Sequence, residues 1–286
     1  MTRLPARPRH GARRRLEQRL ATCLAVVSCA AGAQDQVGLR TTEPLELDPV
    51  IEASGVETTW SARIGVLAAL GPEYQGADAY RLRAVPAMRV SWKQRVIFRG
   101  RTLEANIYRA RGFRIGPMLG TRAGRDEDRD GVLRGLGDVD RAFEAGLFAR
   151  YALGPGSLRL NVLHDVSGAH DGLVAELGGG IKLPLAAPLF SLSVTSTWAN
   201  RDYMQTYFGV GAAQARRARL PAFAASSGFK DVRIGIGTRV DLTRHWSAVV
   251  TLAYERLLGD AAAGPLVAEH GNADQVFAGL GALYRF

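Results

Sequence analysis

The sequence predicts an all-β fold, a transmembrane antiparallel β-barrel of about 12 strands. Three observations lead to this prediction. After the first thirty-odd of the 286 residues, no apolar run approaches the roughly 18 residues that a membrane helix needs. Most of the chain instead alternates apolar and polar residues with the period of two that strands have. Residues 276–286 keep this alternation to a final Tyr284 and Phe286, as in the strand that outer-membrane barrels present for assembly. A strand of a soluble sandwich is the alternative for that segment.

The amino terminus predicts a secretory signal peptide over residues 1–33. Seven Arg precede a short apolar run at 20–31, and Ala31-Gly32-Ala33 offers a small-residue cleavage site. Both cysteines, Cys23 and Cys29, lie in this segment, so the processed chain is expected to have no disulfide. Residues 26–29 also resemble a lipoprotein cleavage site, which leaves lipidation at Cys29 as an alternative to cleavage after Ala33.

The basic character of the chain is largely a property of this first segment. The whole chain carries a net charge of +10, and removal of seven Arg and one Glu with residues 1–33 leaves +4. No basic helix or stripe of aromatic and basic residues follows, so a nucleic-acid partner is not expected.

Residues 34–59 are predicted to form a periplasmic leader, and residues 60–286 the barrel. The leader is acidic, contains two prolines and lacks sustained alternation. The clearest strand covers residues 80–93, where one uncharged face ends in aromatic residues and the other face carries four cations that lipid would exclude. The strands are predicted, to within a few residues, near 60–70, 80–93, 95–99, 103–109, 112–122, 141–153, 157–165, 173–183, 190–198, 229–242, 246–257 and 276–286.

The lengths of the connections agree with a barrel. Those after even-numbered predicted strands are short, and those after odd-numbered strands tend to be long, with residues 100–102 as the exception. Short periplasmic turns and long external loops are typical of outer-membrane barrels, and an even count returns the chain to the periplasm. The third and fourth strands have the weakest patterns, so ten or fourteen strands remain alternatives.

Five stretches in order resemble the MipA/OmpV family. They are GPEYQG at 71–76, GRDED at 124–128, GLGDV at 135–139, YMQTYFGV at 203–210 and YRF at 284–286. The resemblance implies a barrel in the outer membrane of a Gram-negative bacterium, with no cofactor and no catalytic residues. Some members are described as scaffolds that link a lytic transglycosylase to a bifunctional penicillin-binding protein, and others as porin-like or adhesive surface proteins.

The resemblance therefore implies a non-enzymatic scaffold or structural protein of the cell envelope. A small porin-like channel or a surface adhesin is the alternative, and an outer-membrane lipid hydrolase is a weaker one. The expected partners are outer-membrane lipid, lipopolysaccharide and the barrel-assembly machinery, for which Tyr284 and Phe286 would be the signal. A lytic transglycosylase and a penicillin-binding protein are expected through the family.

Asp126, Asp128 and Asp130 have the D-x-D-x-D-G spacing that opens a calcium loop. The twelfth position is Gly137 rather than a bidentate Glu, and neighbouring arginines compete for the carboxylates. A solvated surface loop is therefore the favoured interpretation, and a share in the divalent cations that bridge lipopolysaccharide is a looser alternative.

A polar group in one external loop is a candidate for catalysis on a lipid ester. It contains His164, Asp165, Ser167, His170 and Asp171, in which a His could remove the hydroxyl proton of Ser167. Residues this close in sequence seldom form such a site, so a hydrogen-bonded turn is the favoured interpretation. Two histidines alone do not make a recognisable metal site.

Charged residues outside and inside the barrel have separate predicted roles. Arg216, Arg217 and Arg219 lie in the long loop at 199–228 and are candidate contacts for lipopolysaccharide phosphates, with a solvated loop as the alternative. Inside, cations at positions 81, 83, 89, 93, 233 and 239 are expected to pair with acids at 144, 176, 241 and 255. If the lumen is open instead, its excess of cations favours anions.

Overall fold

The computed structural model describes residues 59–183 and 189–286, which form an antiparallel sheet of 13 strands. The predicted signal peptide and nearly all of the predicted leader lie outside these residues. The strands are β1 Trp60–Pro72, β2 Tyr80–Trp92, β3 Val96–Arg99, β4 Thr102–Ala105, β5 Tyr108–Ala110, β6 Phe113–Arg122, β7 Ala142–Leu153, β8 Gly156–Asp165, β9 Leu173–Leu183, β10 Leu189–Ala199, β11 Gly228–Asp241, β12 Trp246–Leu257 and β13 Asp274–Arg285.

The sheet closes into a barrel because its first and last strands pair. β1 pairs with β13 on one side and with β2 on the other, and β4 pairs with β6. Since β4 and β5 both pair with β6, they share one position and the barrel has 12 positions. The prediction of an antiparallel barrel of about 12 strands is confirmed.

The prediction of one continuous fourth strand over residues 103–109 is wrong. Asn106 interrupts it: its backbone N–H donates to the Arg95 carbonyl at 2.7 Å, and its side-chain Nδ2 donates to the Gln94 carbonyl at 2.7 Å. The turn between β2 and β3 thus captures the polar groups of Asn106, and the strand divides into β4 and β5.

Exposure confirms which face of β1 and β13 meets lipid, since Val66 and Leu280 are exposed whereas Leu67 and Leu283 are buried in the interior. Ile64 pairs with Tyr284 and Arg63 with Arg285, so apolar side chains line up on the outside and cations on the inside. At the periplasmic end, the rings of Trp60 and Trp92 lie 6.1 Å apart. Aromatic residues at this level form the interfacial girdle of a membrane barrel.

The two ends of the barrel differ in their connections. The periplasmic turns at 93–95, 111–112, 154–155 and 242–245 are short. The external loops are L1 (73–79), L2 (100–101), L3 (123–141), L4 (166–172), L5 (200–227) and L6 (258–273).

Four short α-helices lie in the external loops that the structure describes, and L3 contains two turns of 3-10 helix, Glu127–Arg129 and Gly131–Leu133. L5 contains α1 Arg201–Phe208 and α2 Ala212–Ala218, and L6 contains α3 Gly259–Ala263 and α4 Pro265–Ala268. Among the described residues, no helix is both long and apolar enough to cross a membrane.

The interior of the barrel is largely charged, with one small apolar cluster. Leu67, Ala87, Val249 and Leu283, from β1, β2, β12 and β13, form this buried cluster. Charged residues line the rest of the interior, on β3 to β9 and also on β2, β11 and β12. The alternation in sequence predicts which residues face inward, and the closed register determines which of them meet.

Candidate functional site: the loop lid and the charged lumen

The external loops form a lid with its own buried core. Tyr203, Met204, Tyr207 and Phe208 of α1 are buried together with Leu257 at the end of β12 and Val267 of L6. A second cluster combines Tyr74 of L1, Leu133 and Leu136 of L3, Val210 of L5 and Leu266 of L6. Because these loops leave the barrel at different points of its rim, their common core covers the mouth.

Helix α1 is fixed to the barrel by its N-cap. The Asn200 side-chain oxygen accepts from the Tyr203 backbone N–H at 3.2 Å and from the Leu173 N–H, at the start of β9, at 2.9 Å. The buried side chains of α1 come in adjacent pairs four residues apart, so one face of the helix points into the lid.

Arg125 of L3 joins the lid from the opposite wall. Its Nη1 donates to the Tyr207 carbonyl at 2.9 Å, and the Tyr207 hydroxyl donates to the Ala123 carbonyl at 3.2 Å. Burial lowers the pKa of Arg125 and raises the pKa of Tyr207, so the phenol keeps the proton that it donates. Burial likewise raises the pKa of Tyr74 to about 12. These contacts connect L5 to L3 at the mouth of the barrel.

His170 and Glu144 form the contact between the lid and the lumen. The His170 Nδ1 accepts from the Gly172 N–H at 2.9 Å, so its ring proton lies on Nε2, which is 3.4 Å from a Glu144 oxygen. The ring also meets the edge of Tyr203 at 5.2 Å. The Glu144 carboxylate accepts from Arg122 Nε at 2.6 Å and from its Nη2 at 3.3 Å.

A continuous chain of charged and polar groups lines the wall below the lid. Arg150 donates to Glu104 and to Asn161, each at 2.7 Å, and Asn161 donates to Glu176 at 3.0 Å. Glu104 also pairs with Arg99 at 2.5 Å, and Glu176 lies 3.8 Å from Arg122. On the other wall, Arg233 Nε donates to Glu255 at 2.8 Å. Acids and bases therefore pair with each other along these parts of the wall.

These pairs differ in part from those expected from sequence. Glu255 and Arg233 pair as predicted, whereas Glu144 and Glu176 pair with Arg122, which the sequence interpretation missed. Arg81 pairs with Glu73 of L1 at 2.7 Å, and Lys93 lies in a periplasmic turn with its Nζ 5.6 Å from the Trp92 ring centre. Arg122 could have been identified from the alternation of β6, which places it on the same inward face as Gly120.

The polar group of L4 forms a turn. The Ser167 hydroxyl donates to Asp165 at 2.6 Å, and the other oxygen of that carboxylate accepts from the His170 N–H at 2.7 Å and the Asp171 N–H at 3.1 Å. His164 is exposed on the outer face, with its Nδ1 3.1 Å from the Gly172 carbonyl. The structure therefore does not bring His164 to Ser167.

The three aspartates of the candidate calcium loop cap short turns in L3. Asp126 accepts from the Asp128 N–H, and Asp130 accepts from the Val132 N–H, each at 3.0 Å. In the part of the chain that the structure describes, no three His, Cys, Asp or Glu side chains are grouped as metal ligands. Glu127 accepts from the N–H groups of Gly137 and Gly135 at 2.9 and 2.8 Å, which lower its pKa.

The remaining candidate residues lie at opposite ends of the barrel. Arg216, Arg217 and Arg219 are exposed around the end of α2, and Arg217 Nε donates to the Gly135 carbonyl at 3.1 Å. At the periplasmic end, the Tyr284 ring contacts those of Trp246 and Phe286 at 5.1 and 4.9 Å.

A closed antiparallel barrel with an apolar outer surface, aromatic girdles and long loops at one end is an outer-membrane β-barrel protein, and this chain resides in the outer membrane of a Gram-negative bacterium. The chain belongs to the MipA family, because the family model for MltA-interacting protein MipA matches residues 64–286.

A relative and two solved structures give further comparisons. Outer membrane protein OmpV of Vibrio cholerae serotype O1 is 26% identical over 177 residues, which cover 59% of this chain and 64% of that protein. The COG4313 outer membrane channel from Pseudomonas putida F1 has a TM-score of 0.42 at 10% identity and covers 84% of this chain and 100% of its own. A NanC porin has a TM-score of 0.40 at 9% identity and covers 79% of this chain and 100% of its own.

Proposed function

We propose that this chain is a non-enzymatic scaffold of the cell envelope, which holds peptidoglycan-remodelling enzymes at the outer membrane. The observation that carries this proposal is the covered barrel. Four loops share one core over the mouth, and acids and bases of the wall pair with each other. A barrel of this construction is suited to serve as a rigid anchor.

The partner class is proposed from the family. Its description names an interaction with MltA, and on this basis we expect a lytic transglycosylase and a penicillin-binding protein as partners. A stable interface needs about 800 Å² from each protein, which short periplasmic turns do not supply. The acidic segment at residues 34–59 is therefore the proposed recruitment segment.

The test is affinity purification from cross-linked envelopes. Deletion of residues 34–58 is expected to abolish recovery of the peptidoglycan enzymes; Thr59 is kept because its carbonyl accepts from the Lys93 N–H at 2.8 Å. The matched control replaces Glu43, Glu46 and Asp48 by their amides and is expected to weaken recovery. Heat-modifiable gel mobility verifies that both variants retain the barrel. Undiminished recovery after the deletion rejects this mechanism.

Two further measurements separate the scaffold from its alternatives. Planar bilayers with the purified protein are expected to show no steady conductance, and an anion-selective current would favour a porin-like channel. Incubation of the purified protein with lipopolysaccharide is expected to release no fatty acid. A release that the Ser167→Ala variant does not show would favour a hydrolase. Arg216, Arg217 and Arg219 are proposed to contact lipopolysaccharide phosphates, and Tyr284 and Phe286 to be read by the assembly machinery.

A further inference from the structure

The periplasmic half of the lumen carries two rows of arginines, here called the first and second arginine ladders. In the first ladder, four arginines lie directly opposite one another on the consecutive strands β13, β1, β2 and β3: Arg285, Arg63, Arg89 and Arg99. In the second, four arginines do the same on β5, β6, β7 and β8: Arg109, Arg114, Arg150 and Arg159. Together the ladders cover eight of the 12 positions of the barrel.

Both ladders face the lumen. Arg63 lies on the same face of β1 as the buried Leu67, and Arg150 lies on the same face of β7 as the buried Phe148. Residues directly opposite each other on neighbouring strands share a face of the sheet. The other members of each ladder therefore point inward as well.

Each ladder begins at the periplasmic rim and runs into the barrel. Arg285 is the last residue of β13, and Arg109 lies two residues before Arg111 of the periplasmic turn. At the other ends of the ladders, Arg99 and Arg159 are the fourth residues of β3 and β8, counted from the periplasmic side. Neighbouring strands are about 4.8 Å apart, so four arginines span about 14 Å of the wall.

Cations far exceed acids in this half of the lumen. Within the strands that the structure describes, the inward positions there hold two acids, Glu104 and Asp241, against the two ladders, Lys182 and Arg239. Like charges directly opposite each other in a sheet are destabilising. Hydrogen bonds to hydroxyl and carbonyl groups hold a guanidinium in place but do not cancel its charge. An anion bound between the arginines would relieve this repulsion.

Glu104 shows how a carboxylate fits between the two ladders. This side chain is buried and pairs with Arg99 of the first ladder at 2.5 Å and with Arg150 of the second at 2.7 Å. Its two oxygens thus contact one guanidinium each, in charge-assisted hydrogen bonds of the strong kind. Further carboxylates, supplied by a ligand, would meet the same kind of donor closer to the rim.

The ladders are accessible from the periplasm and covered on the outside. The inward-facing Ala152 and Ser157, near the periplasmic ends of β7 and β8, are exposed, and the Asp241 side chain is 60% exposed. Below the lid, the inward-facing Glu144 and Asp165 are each 3% exposed. A solute would therefore reach the arginines from the periplasmic side.

The arc of the wall without a ladder carries small residues. Inward positions of β9, β10 and β11 in the same half of the barrel include Gly180, Ser191, Ser193, Gly235 and Gly237. Next to them, the Arg159 side chain lies over Gly178, where a Cβ would be 2.6 Å from its Nε. Such residues occupy little volume, so the long arginine side chains have space to extend towards a ligand.

We propose that the two arginine ladders bind a linear oligoanion whose charges are carboxylates and which enters from the periplasm. The ligand is linear and multivalent because each ladder repeats its charge along the wall. Its charges are carboxylates because Glu104 already occupies one position between the ladders in this way. It comes from the periplasm because the lid covers the other end. The proposal does not depend on the scaffold function.

The first test measures binding of hexaglutamate to the purified full-length protein in detergent by calorimetry. Binding is expected to weaken as the salt concentration rises, and hexalysine is expected not to bind. Arg63→Gln in the first ladder and Arg109→Gln in the second should each weaken binding about tenfold, because each removes a hydrogen bond to a charged group. The matched control is Arg233→Gln, whose Arg pairs with Glu255 on the other wall, and it should retain the affinity.

Stability separates anion binding from a structural role of the ladders. Arg63 lies opposite both Arg89 and Arg285, so Arg63→Gln is expected to raise the urea midpoint of the ligand-free protein. Hexaglutamate should raise the midpoint of the unaltered protein more than that of this variant. Arg109 is exposed at the rim, so Arg109→Gln tests the second ladder without removing a buried side chain. Heat-modifiable mobility verifies that each variant is folded.

A single thiol locates the site. Residues 59–286 contain no cysteine, so Ser157→Cys places a thiol on the inner wall two residues from Arg159. An anionic thiosulfonate reagent is expected to modify this thiol several-fold faster than a cationic one, and hexaglutamate is expected to slow the reaction. The control is Ser226→Cys, at an exposed position of L5, which hexaglutamate should not protect.

Four results would overturn the proposal. The first is equal affinity of the unaltered protein and both ladder variants. The second is equal protection of the thiols at 157 and 226. The third is tripolyphosphate that binds more than tenfold tighter than hexaglutamate, which would make phosphate the ligand chemistry. The fourth is binding that appears only after deletion of residues 34–58, since the acidic leader would then be the occupant. Recovery of peptidoglycan enzymes tests the scaffold separately and can succeed or fail with any of these results.

Discussion

Removal of the Glu144 carboxylate is expected to destabilise the barrel strongly, because it leaves the Arg122 guanidinium buried without its nearest partner. Both side chains are nearly inaccessible to solvent, at 3% and 9% exposure, and their closest atoms are 2.6 Å apart. Two unit charges 4 Å apart attract by about 4 kcal/mol at an effective dielectric constant of about 20. Loss of one partner of such a buried pair typically costs about 3–5 kcal/mol.

The expected value lies at the lower end of that range. Glu176 is 3.8 Å from Arg122 and can take over part of the charge compensation, so Glu144→Ala is expected to lower the free energy of unfolding by about 3 kcal/mol. Glu144→Gln keeps a hydrogen-bond acceptor but loses the charge, and about 1–2 kcal/mol is expected. Glu144→Ala in a Glu176→Gln background should cost more than the two changes summed.

The assay is equilibrium unfolding by urea in lipid vesicles, with tryptophan fluorescence as the signal and a double-mutant cycle between Glu144→Ala and Arg122→Met. The control is the exposed pair Arg256 and Asp274, which has the same closest distance of 2.6 Å but side-chain exposures of 53% and 42%. Solvent screening should make the coupling there far smaller. Equal coupling energies for the two pairs would refute the argument that burial makes the Glu144 interaction strong.

Three further predictions concern the wall and the lid. Gly178→Val places a Cβ 2.6 Å from the Arg159 guanidinium, which must move away from Thr195; the lost hydrogen bond is expected to cost about 1 kcal/mol, measured as a lower urea midpoint. Gly179→Ala, which meets Leu158 at 3.4 Å, should change this midpoint little. Asn200→Ala removes the N-cap of α1 and should cost about 1 kcal/mol. The measurement is amide hydrogen exchange, which the substitution should accelerate in α1 but not in β11. The pKa of Glu127 is lower in the folded state than its usual value of 4.5, so the ionised carboxylate stabilises L3 at a pH above 4.5. This stabilisation is lost as the pH falls through the lower pKa of the folded state. The Gly135 and Gly137 amide resonances should therefore shift on acidification, and Glu127→Gln should remove this pH dependence.

The faces of the strands were predictable because they depend only on local sequence. A period of two assigns Tyr284 to lipid and Arg285 to the lumen without knowledge of any neighbour, and the alternating exposure of β13, with Leu280 exposed and Leu283 buried, agrees with both assignments. The pairing partners of the charged lumen residues were harder to predict. Arg122 reaches Glu144 because β6 and β7 pair in one register, and this register is set by the length of L3 and by the closure of the whole sheet.

The lid could not be predicted because its core comes from distant loops. One of its clusters contains Tyr74, Leu133, Val210 and Leu266. Each of these residues lies in a segment that the sequence alone predicts to be an external loop. Such segments have no alternation, and although α1 has an apolar face, local sequence does not indicate which loops that face contacts. The five stretches that resemble the MipA/OmpV family coincide in part with this lid, because 71–76, 135–139 and 203–210 each supply buried residues to it.

The short pairing of β2 with β3, from Arg89 to Trp92, was not predicted, because alternation does not report on hydrogen bonding between strands. Alternation tells which face a side chain occupies, and it correctly places Pro86 on the lipid face. The missing N–H of a proline instead affects the hydrogen bonds within the sheet, because the residue cannot donate to the neighbouring strand on that side. In β6, the Ile115 carbonyl accepts from the Ile107 N–H and the Thr121 N–H donates to the Arg101 carbonyl, so odd-numbered residues, Pro117 included, direct their backbone groups towards β4 and β5. Pro117 lies opposite the interruption at Asn106, between β4 and β5, whereas Pro86 lies on the part of β2 that β3 does not reach.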